Sequence, residues 1–259
     1  MNPRTVYLRD YKVPAYLVDT IDLDIDFREG HAVVASRCAV RRNDQGAGGP
    51  LVLDCEEIEL VSVKIDGRVL EAGEYQHADE KLTIPGVPGR FLLETVVHIQ
   101  PDKNLQLSGL YRSKDGYVTQ CEAQGFRRIT PYPDRPDVMA RFTCTLHADR
   151  EKCPVLLSNG NLVGRGEEAG GRHWAKWEDP YAKPSYLFAC VAAKLDALED
   201  EYTTGSGRKV RCAVYVEPGR LDQCAHAMAA LKKSMAWDEK VFGLEMDLDT
   251  FMIVAVGDF

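Results

Sequence analysis

The chain has 259 residues, 45% of them hydrophobic, with a formal net charge of -8; this suits one large or two modest domains. An acidic balance argues against a nucleic-acid partner, because phosphate binding needs a basic face. No apolar run is long enough to cross a membrane, and Met1–Asp10 has no signal-peptide core, so the cytoplasm is the expected compartment.

Residues 21–27 read Ile-Asp-Leu-Asp-Ile-Asp-Phe. This strict alternation makes one face apolar and the other carboxylate-lined, as in a half-buried strand. His31–Val40 is a second strand and Gly46–Pro50 a loop. Ile58–Ile65, then Asp66-Gly67, then Val69-Leu70 form a hairpin signal. Lys81–Ile84 and Phe91–Ile99 follow as strands, with Pro85 and Pro88 bracketing their turn. Thr119–Arg141 is polar and irregular, with two carboxamides, three carboxylates, arginines and three prolines between strands. That is how a scaffold presents a recognition loop.

After this loop Phe142, Cys144 and Leu146 alternate with polar residues as a half-buried strand. Val155–Leu157 runs into the turn Ser158-Asn-Gly-Asn161. Gly164, Gly166, Gly170 and Gly171 read as a polar turn. Arg172–Trp177 and the apolar, central Tyr186–Ala193 complete the set. Short-spaced strands without a helical period argue for an antiparallel sandwich over about the first 190 residues.

The pattern then changes. Thr204–Gly207 turns into the strand Val210–Val216. Leu221, Cys224, Met228, Leu231 and Met235 are spaced by three and four, an amphipathic helix. Phe251–Val256 is a final apolar strand. Two readings stay open for it: docking into the existing sheet, or opening a second domain near residue 195. A unit of about 65 residues buries too little surface to be comfortable alone.

Chemistry is sparse. The histidines His31, His77, His98, His147, His173 and His226 include no pair at helical metal-ligand spacing. There is no Gly-x-Ser-x-Gly elbow and no glycine-rich phosphate loop. The eight dispersed cysteines read as buried thiols, not a disulfide framework or zinc ribbon. Cys121 sits beside Glu122, whose charge raises a thiol pKa and opposes activation. Arg127-Arg128 reads as solvated, or as paired with Asp134 or Asp137. Gln120 and Glu122 remain. On one strand face they would make an ammonium receptor, with charge from the glutamate and an acceptor from the glutamine. On spacing alone, a solvated glutamate at a loop margin is the favoured reading.

At these residues a resemblance emerges. Gln120-Cys-Glu-Ala-Gln-Gly-Phe-Arg127 and Asp134-Arg-Pro-Asp-Val-Met-Ala-Arg-Phe142 resemble the aminopeptidase N family, in its bacterial alanyl aminopeptidase branch. Leu156–Asn161, Gly171–Trp174, Lys183–Phe188, Ser234–Glu239 and Ile253–Val256 are also similar, so the likeness spans essentially the whole chain. Departures are Gln124 for a usual acid, Pro133 at a usually apolar position and Ala182 for a usual proline.

The resemblance implies a mostly β fold. A saddle-shaped antiparallel β-sandwich over 1–194 would be followed by the α+β beginning of a thermolysin-like zinc domain over 195–259. It implies that Gln120 and Glu122 bind the α-ammonium of a peptide substrate. The family's Gly-Ala-Met-Glu-Asn and His-Glu-x-x-His motifs do not occur in these 259 residues. The chain by itself is therefore expected to bind no catalytic zinc and to be inactive. The expected partner is a peptide amino terminus, with association through the exposed 195–259 segment. Two alternatives stand beside this: a non-catalytic β-sandwich interaction module of the same ancestry, and a related epoxide hydrolase. The latter resembles the chain less and carries glutamine in place of Glu122.

Overall fold

A computed structural model describes residues 7–114 and 116–257. The readings on Met1–Thr5, Val6, Asp258 and Phe259 lie outside the described residues. The strands are β1 (Tyr16–Arg28), β2 (His31–Arg42), β3 (Leu51–Asp54), β4 (Glu59–Ile65), β5 (Arg68–Val69), β6 (Gln76–Ala78), β7 (Lys81–Ile84), β8 (Arg90–Ile99) and β9 (Gly109–Ser113). They continue as β10 (Gly116–Gln120), β11 (Met139–Asp149), β12 (Val155–Ser158), β13 (Asn161–Glu168), β14 (Arg172–Pro184), β15 (Cys190–Ala193), β16 (Asp196–Thr203) and β17 (Lys209–Val216). Helix α1 (Ala225–Phe242) and β18 (Thr250–Ala255) complete the fold. The mostly β expectation holds.

An eight-stranded sheet runs β13-β14-β11-β1-β2-β8-β4-β5. Its alternation is the one read from sequence: Ile21, Leu23, Ile25 and Phe27 are buried while Asp22 and Asp24 are exposed. Each such apolar side chain stabilises the fold by roughly 1.5–3 kcal/mol. A four-stranded sheet, β12-β15-β10-β9, contributes to the same core. Across it Phe27 stacks on Tyr117 at 4.9 Å, and the Trp177 indole N–H donates to the Leu156 carbonyl at 3.1 Å.

Three expectations need correction. The large sheet is not wholly antiparallel, because β1 and β11 pair in parallel from Thr20↔Arg141 to Asp26↔His147. Parallel neighbours need a long crossover, which β2 through β10 supply. Tyr186–Ala193 is not one strand. Ser185–Leu187 is a 3-10 turn, and only Cys190–Ala193 pairs, centrally between β12 and β10. Asn159 holds that kink, donating to the Leu187 carbonyl at 3.1 Å and accepting from the Ala189 N–H at 2.7 Å. Gly164 and Gly166 lie within β13, not in a turn. The Trp174 ring lies over them, and a Cβ would come within 3.1 Å and 2.8 Å of it.

Strands β16-β17-β18 form a sheet of their own. β18 pairs with β17 alone, in parallel, so it neither joins the earlier sheets nor gains neighbours on both sides. Helix α1 packs Met228, Leu231 and Met235 against Val210, Cys212 and Val214. From the other sheet face Ala213, Tyr215, Met252 and Val254 join the main core.

On the outer face of the large sheet, His147 lies between two carboxylates: Nδ1 is 2.7 Å from Glu168 and Nε2 3.2 Å from Asp24. The Asp24 hydrogen bond is the largest influence and, with Glu168, holds the imidazolium pKa above its ordinary value despite partial burial. A raised folded-state pKa contributes stability that is complete below the unfolded value, about 6.5, and is lost as pH rises through the folded value. The melting temperature of the wild type is therefore expected to fall across that interval relative to H147Q, measured in parallel pH series. Parallel curves would contradict the ion-paired histidine.

Candidate functional site

The polar loop leaves the four-stranded sheet at Gln120, whose backbone partner is Gly109 on β9. A tight turn follows, closed by the Gly125 N–H on the Cys121 carbonyl at 2.8 Å. Gly125 has no room for a side chain: a Cβ would lie 2.4 Å from the Gln120 oxygen and 2.7 Å from the Gly109 nitrogen. The Glu122–Ala123 peptide bond in this turn is cis. A 3-10 turn, Phe126–Arg128, then carries the chain into the core.

Phe126 is fully buried. Its ring meets Tyr132 at 5.0 Å, Phe188 at 5.3 Å and Phe142 at 5.8 Å, all edge-on. Such edge-to-face pairs are favoured by the ring quadrupoles. The backbone of Tyr132 exchanges hydrogen bonds with Asp54 at 2.8 and 3.1 Å, tying the loop to β3. Beneath the loop Asp134, 2% exposed, accepts from the Arg127 backbone N–H at 3.2 Å and from Arg127 Nε at 3.1 Å. Ser185 Oγ donates to its other oxygen at 2.5 Å. Arg127 also lies 3.5 Å from both Asp54 and Glu56, and Arg128 is paired with Glu56 at 2.9 Å and Glu57 at 2.6 Å.

The arginine pair is therefore not solvated, since both side chains are only 11% exposed. The Asp134 partner was legible in the sequence. Glu56 and Glu57, some seventy residues upstream, carried no signal. The motif Lys183–Phe188 also gains a physical account. Lys183 pairs with Asp179 at 3.0 Å and lies 4.0 Å above the Phe142 ring, while Ser185 and Phe188 grip Asp134 and Phe126. Burial holds the Lys183 ammonium below its usual pKa, against the opposing pull of Asp179.

Gln120 is half-buried and Glu122 is exposed, and neither side chain is tied to another described residue. The alternation argument stops at Gln120, because Glu122 is already in the turn. The cleft beside the loop, about 530 Å³, is lined by Gln124, Arg127, Asp134 and Arg135 but not by Gln120 or Glu122. Cys121 is buried, and burial, followed by the Asp134 charge, pushes its thiol up. The direction is the one expected from sequence, but burial and Asp134 cause it, not Glu122. All eight cysteines are buried and free. Among the described residues no group of three or more His, Cys, Asp or Glu is arranged to hold a metal ion.

The loop is thus a rigid, core-anchored turn that holds one uncompensated carboxylate in solvent. The Peptidase M1 N-terminal domain matches residues 11–187. The chain is 50% identical over 257 residues to the aminopeptidase N of Caulobacter vibrioides, covering 99% of this chain and 30% of that protein. To the aminopeptidase N of Escherichia coli it is 49% identical over 258 residues, covering 99% and 29%. The structure of Legionella pneumophila aminopeptidase A in complex with aspartic acid superposes with a TM-score of 0.91 at 37% identity, over 96% of this chain and 30% of that one. The chain therefore spans about 30% of the length of these relatives. A match this long, on a fold this close, makes the chain a member of the peptidase M1 aminopeptidase family, corresponding to its N-terminal portion.

Proposed function

We propose that this chain supplies the N-terminal β domain, over 1–194, and the beginning of the catalytic domain, over 195–259, of a zinc aminopeptidase. That enzyme removes amino-terminal residues from peptides in the cytoplasm. Glu122 receives the peptide's α-ammonium, with Gln120 as a neutral acceptor beside it. The observation that carries this reading is an exposed, unpaired carboxylate on a turn fixed from below by Phe126, Arg127 and Asp134. A charged group held rigidly in this way loses little freedom when it meets a cation.

The described residues do not fit the family's zinc, because they hold no matching ligand set. What this chain's own residues do is bind and orient: a fixed carboxylate selects a free amino terminus and sets its distance from whatever cleaves the next bond.

The 259-residue chain alone is expected to release no chromophore from an alanyl chromogenic substrate. Joined to a zinc-binding catalytic portion, it is expected to hydrolyse the substrate. There, with Glu122 covered by the catalytic portion and the bound peptide, E122Q should lower kcat/KM by the equivalent of roughly 2–5 kcal/mol, the usual effect of removing one member of a desolvated charge pair. An unchanged kcat/KM in E122Q would remove Glu122 from the site, and turnover by the chain alone would refute its dependence on a further portion.

Association through 195–259 forms part of the same proposal. Trp237, Val241, Phe242 and Leu244 are each more than half exposed. Grouped apolar side chains of this kind mark contact surfaces. The isolated chain is expected to self-associate in a concentration-dependent way by light scattering, and W237S/F242S should shift it toward monomer. A wild type that stays monomeric throughout would count against it.

A further inference from the structure

The outer face of the large sheet carries two histidines that the aminopeptidase reading does not use. His31 opens β2 and His98 lies near the end of the adjacent β8. Ala32 pairs with Ile99 and Val33 with His98, so the two histidines are diagonal neighbours across one strand pair. Ala32, Val97 and Ile99 point into the core, which leaves both imidazoles on the solvent side. Their ring centroids are 5.4 Å apart, with planes inclined at 60°.

One nitrogen of each ring already faces an acceptor. His31 Nδ1 lies 3.2 Å from the Glu29 carbonyl oxygen. His98 Nδ1 lies 3.7 Å from a carboxylate oxygen of Glu59, its register partner on β4. The Glu29 carbonyl favours the proton on His31 Nδ1 and leaves that ring's Nε2 lone pair free, whereas Glu59, beyond hydrogen-bond reach of His98, acts through its charge. Metal-bound histidines are held as His31 is here, with the outer nitrogen turned to a carbonyl or carboxylate. Two imidazoles on one tetrahedral ion, with bonds near 2.0–2.1 Å, place their ring centres on the order of 5 Å apart. The observed spacing matches.

We propose that His31 and His98 form a two-imidazole site for a nitrogen-preferring divalent transition ion such as Zn²⁺, Ni²⁺ or Cu²⁺, with water in the remaining positions. Mg²⁺ and Ca²⁺ are excluded as ligands because they take oxygen donors. The neighbouring charges oppose each other. Glu59 favours a cation, whereas Arg28, opposite His31 in register, disfavours it but is ion-paired with Asp26. With two protein ligands in place of the four of a closed structural site, the affinity is modest. Bound metal ties the β1–β2 hairpin to β8, so it stabilises the fold by mass action.

The test titrates Ni²⁺, and separately Zn²⁺, into the 259-residue chain by calorimetry, with a thermal melt at each metal concentration. One equivalent is expected to bind, with a rise in melting temperature. H31A and H98A should each weaken binding by at least tenfold and abolish the thermal shift. E59Q removes a nearby negative charge and should weaken it a few-fold, and H226A should leave it unchanged. Undiminished binding in H31A/H98A, or none in the wild type at millimolar metal, overturns the proposal. H31N and H98N repeat the test with polar side chains if circular dichroism shows that the alanine variants are misfolded.

Discussion

Asp134→Ala is expected to destabilise the protein by about 3–5 kcal/mol, the usual cost of removing one partner from a buried ion pair. The asymmetry of such pairs sets the size. Asp134 accepts from Arg127 and Ser185 in a site where its side chain is 1% exposed. Deleting it leaves a guanidinium in the interior, and Asp54 and Glu56, each 3.5 Å away, compensate only in part. Ser185 loses its acceptor as well, and an orphaned buried hydroxyl costs roughly 1–3 kcal/mol more if nothing replaces it. Urea denaturation reads this as a lower midpoint at unchanged slope. D134N keeps the shape and an acceptor oxygen and should lose less. A D134A midpoint within experimental error of the wild type would mean that the ion pair does not hold the loop.

That outcome bears on function because the same network anchors the segment that directly follows the Glu122 turn. The turn Cys121–Gly125 has few side-chain anchors of its own. It is fixed by what comes next: Phe126 in the core, Arg127 on Asp134 and Tyr132 on Asp54. On the proposed role of Glu122, loosening that base costs orientation of the carboxylate, and misplacing a binding group by about 1 Å can cost on the order of a hundredfold in rate. A stability measurement and a kcat/KM measurement on D134N therefore probe one physical unit by two routes.

The fold was legible where a single period dominates. Ile21–Phe27 gave β1 because one apolar face alternates with one acidic face, and the spacing of Cys224, Met228, Leu231 and Met235 gave α1, although Leu221 lies ahead of it in an exposed 3-10 turn. Legibility ended where a distant partner decides the outcome. The parallel β1–β11 pairing depends on a crossover of more than a hundred residues, to which local alternation is blind. Gly164 and Gly166 resembled a turn because glycine usually marks one, but here the Trp174 ring requires their lack of a side chain. The candidate site followed the same rule. Gln120, Glu122 and Asp134 stand within one recognisable motif. Ser185, which holds it in place, comes from a second recognisable motif, Lys183–Phe188, whereas Glu56 and Glu57 come from a remote segment without a signal. The His31–His98 pair was invisible to a search for helical metal-ligand spacing, since a sheet brings together residues that sequence distance separates.

Phe126→Ala is expected to cost about 3–5 kcal/mol, the range for an aromatic ring removed from a packed core. Phe126 is 0% exposed and lies where the recognition loop, β11 and the Ser185–Phe188 segment converge, in contact with Tyr132, Phe142 and Phe188. Tyr132, Phe142 and Phe188 are bulky buried rings that can shift little to refill the space. The cavity therefore persists, and the variant should fall near the upper end of the range. F126L retains much of the volume and should lose less than half as much. Because Phe126 directly follows the Gly125 turn, the proposed role of Glu122 predicts that the same variant raises KM more than it lowers kcat in an active polypeptide, through a looser carboxylate. A cost of under about 1 kcal/mol would show that the cluster relaxes freely. An unchanged KM alongside a large stability loss would show that the turn holds Glu122 without help from the core.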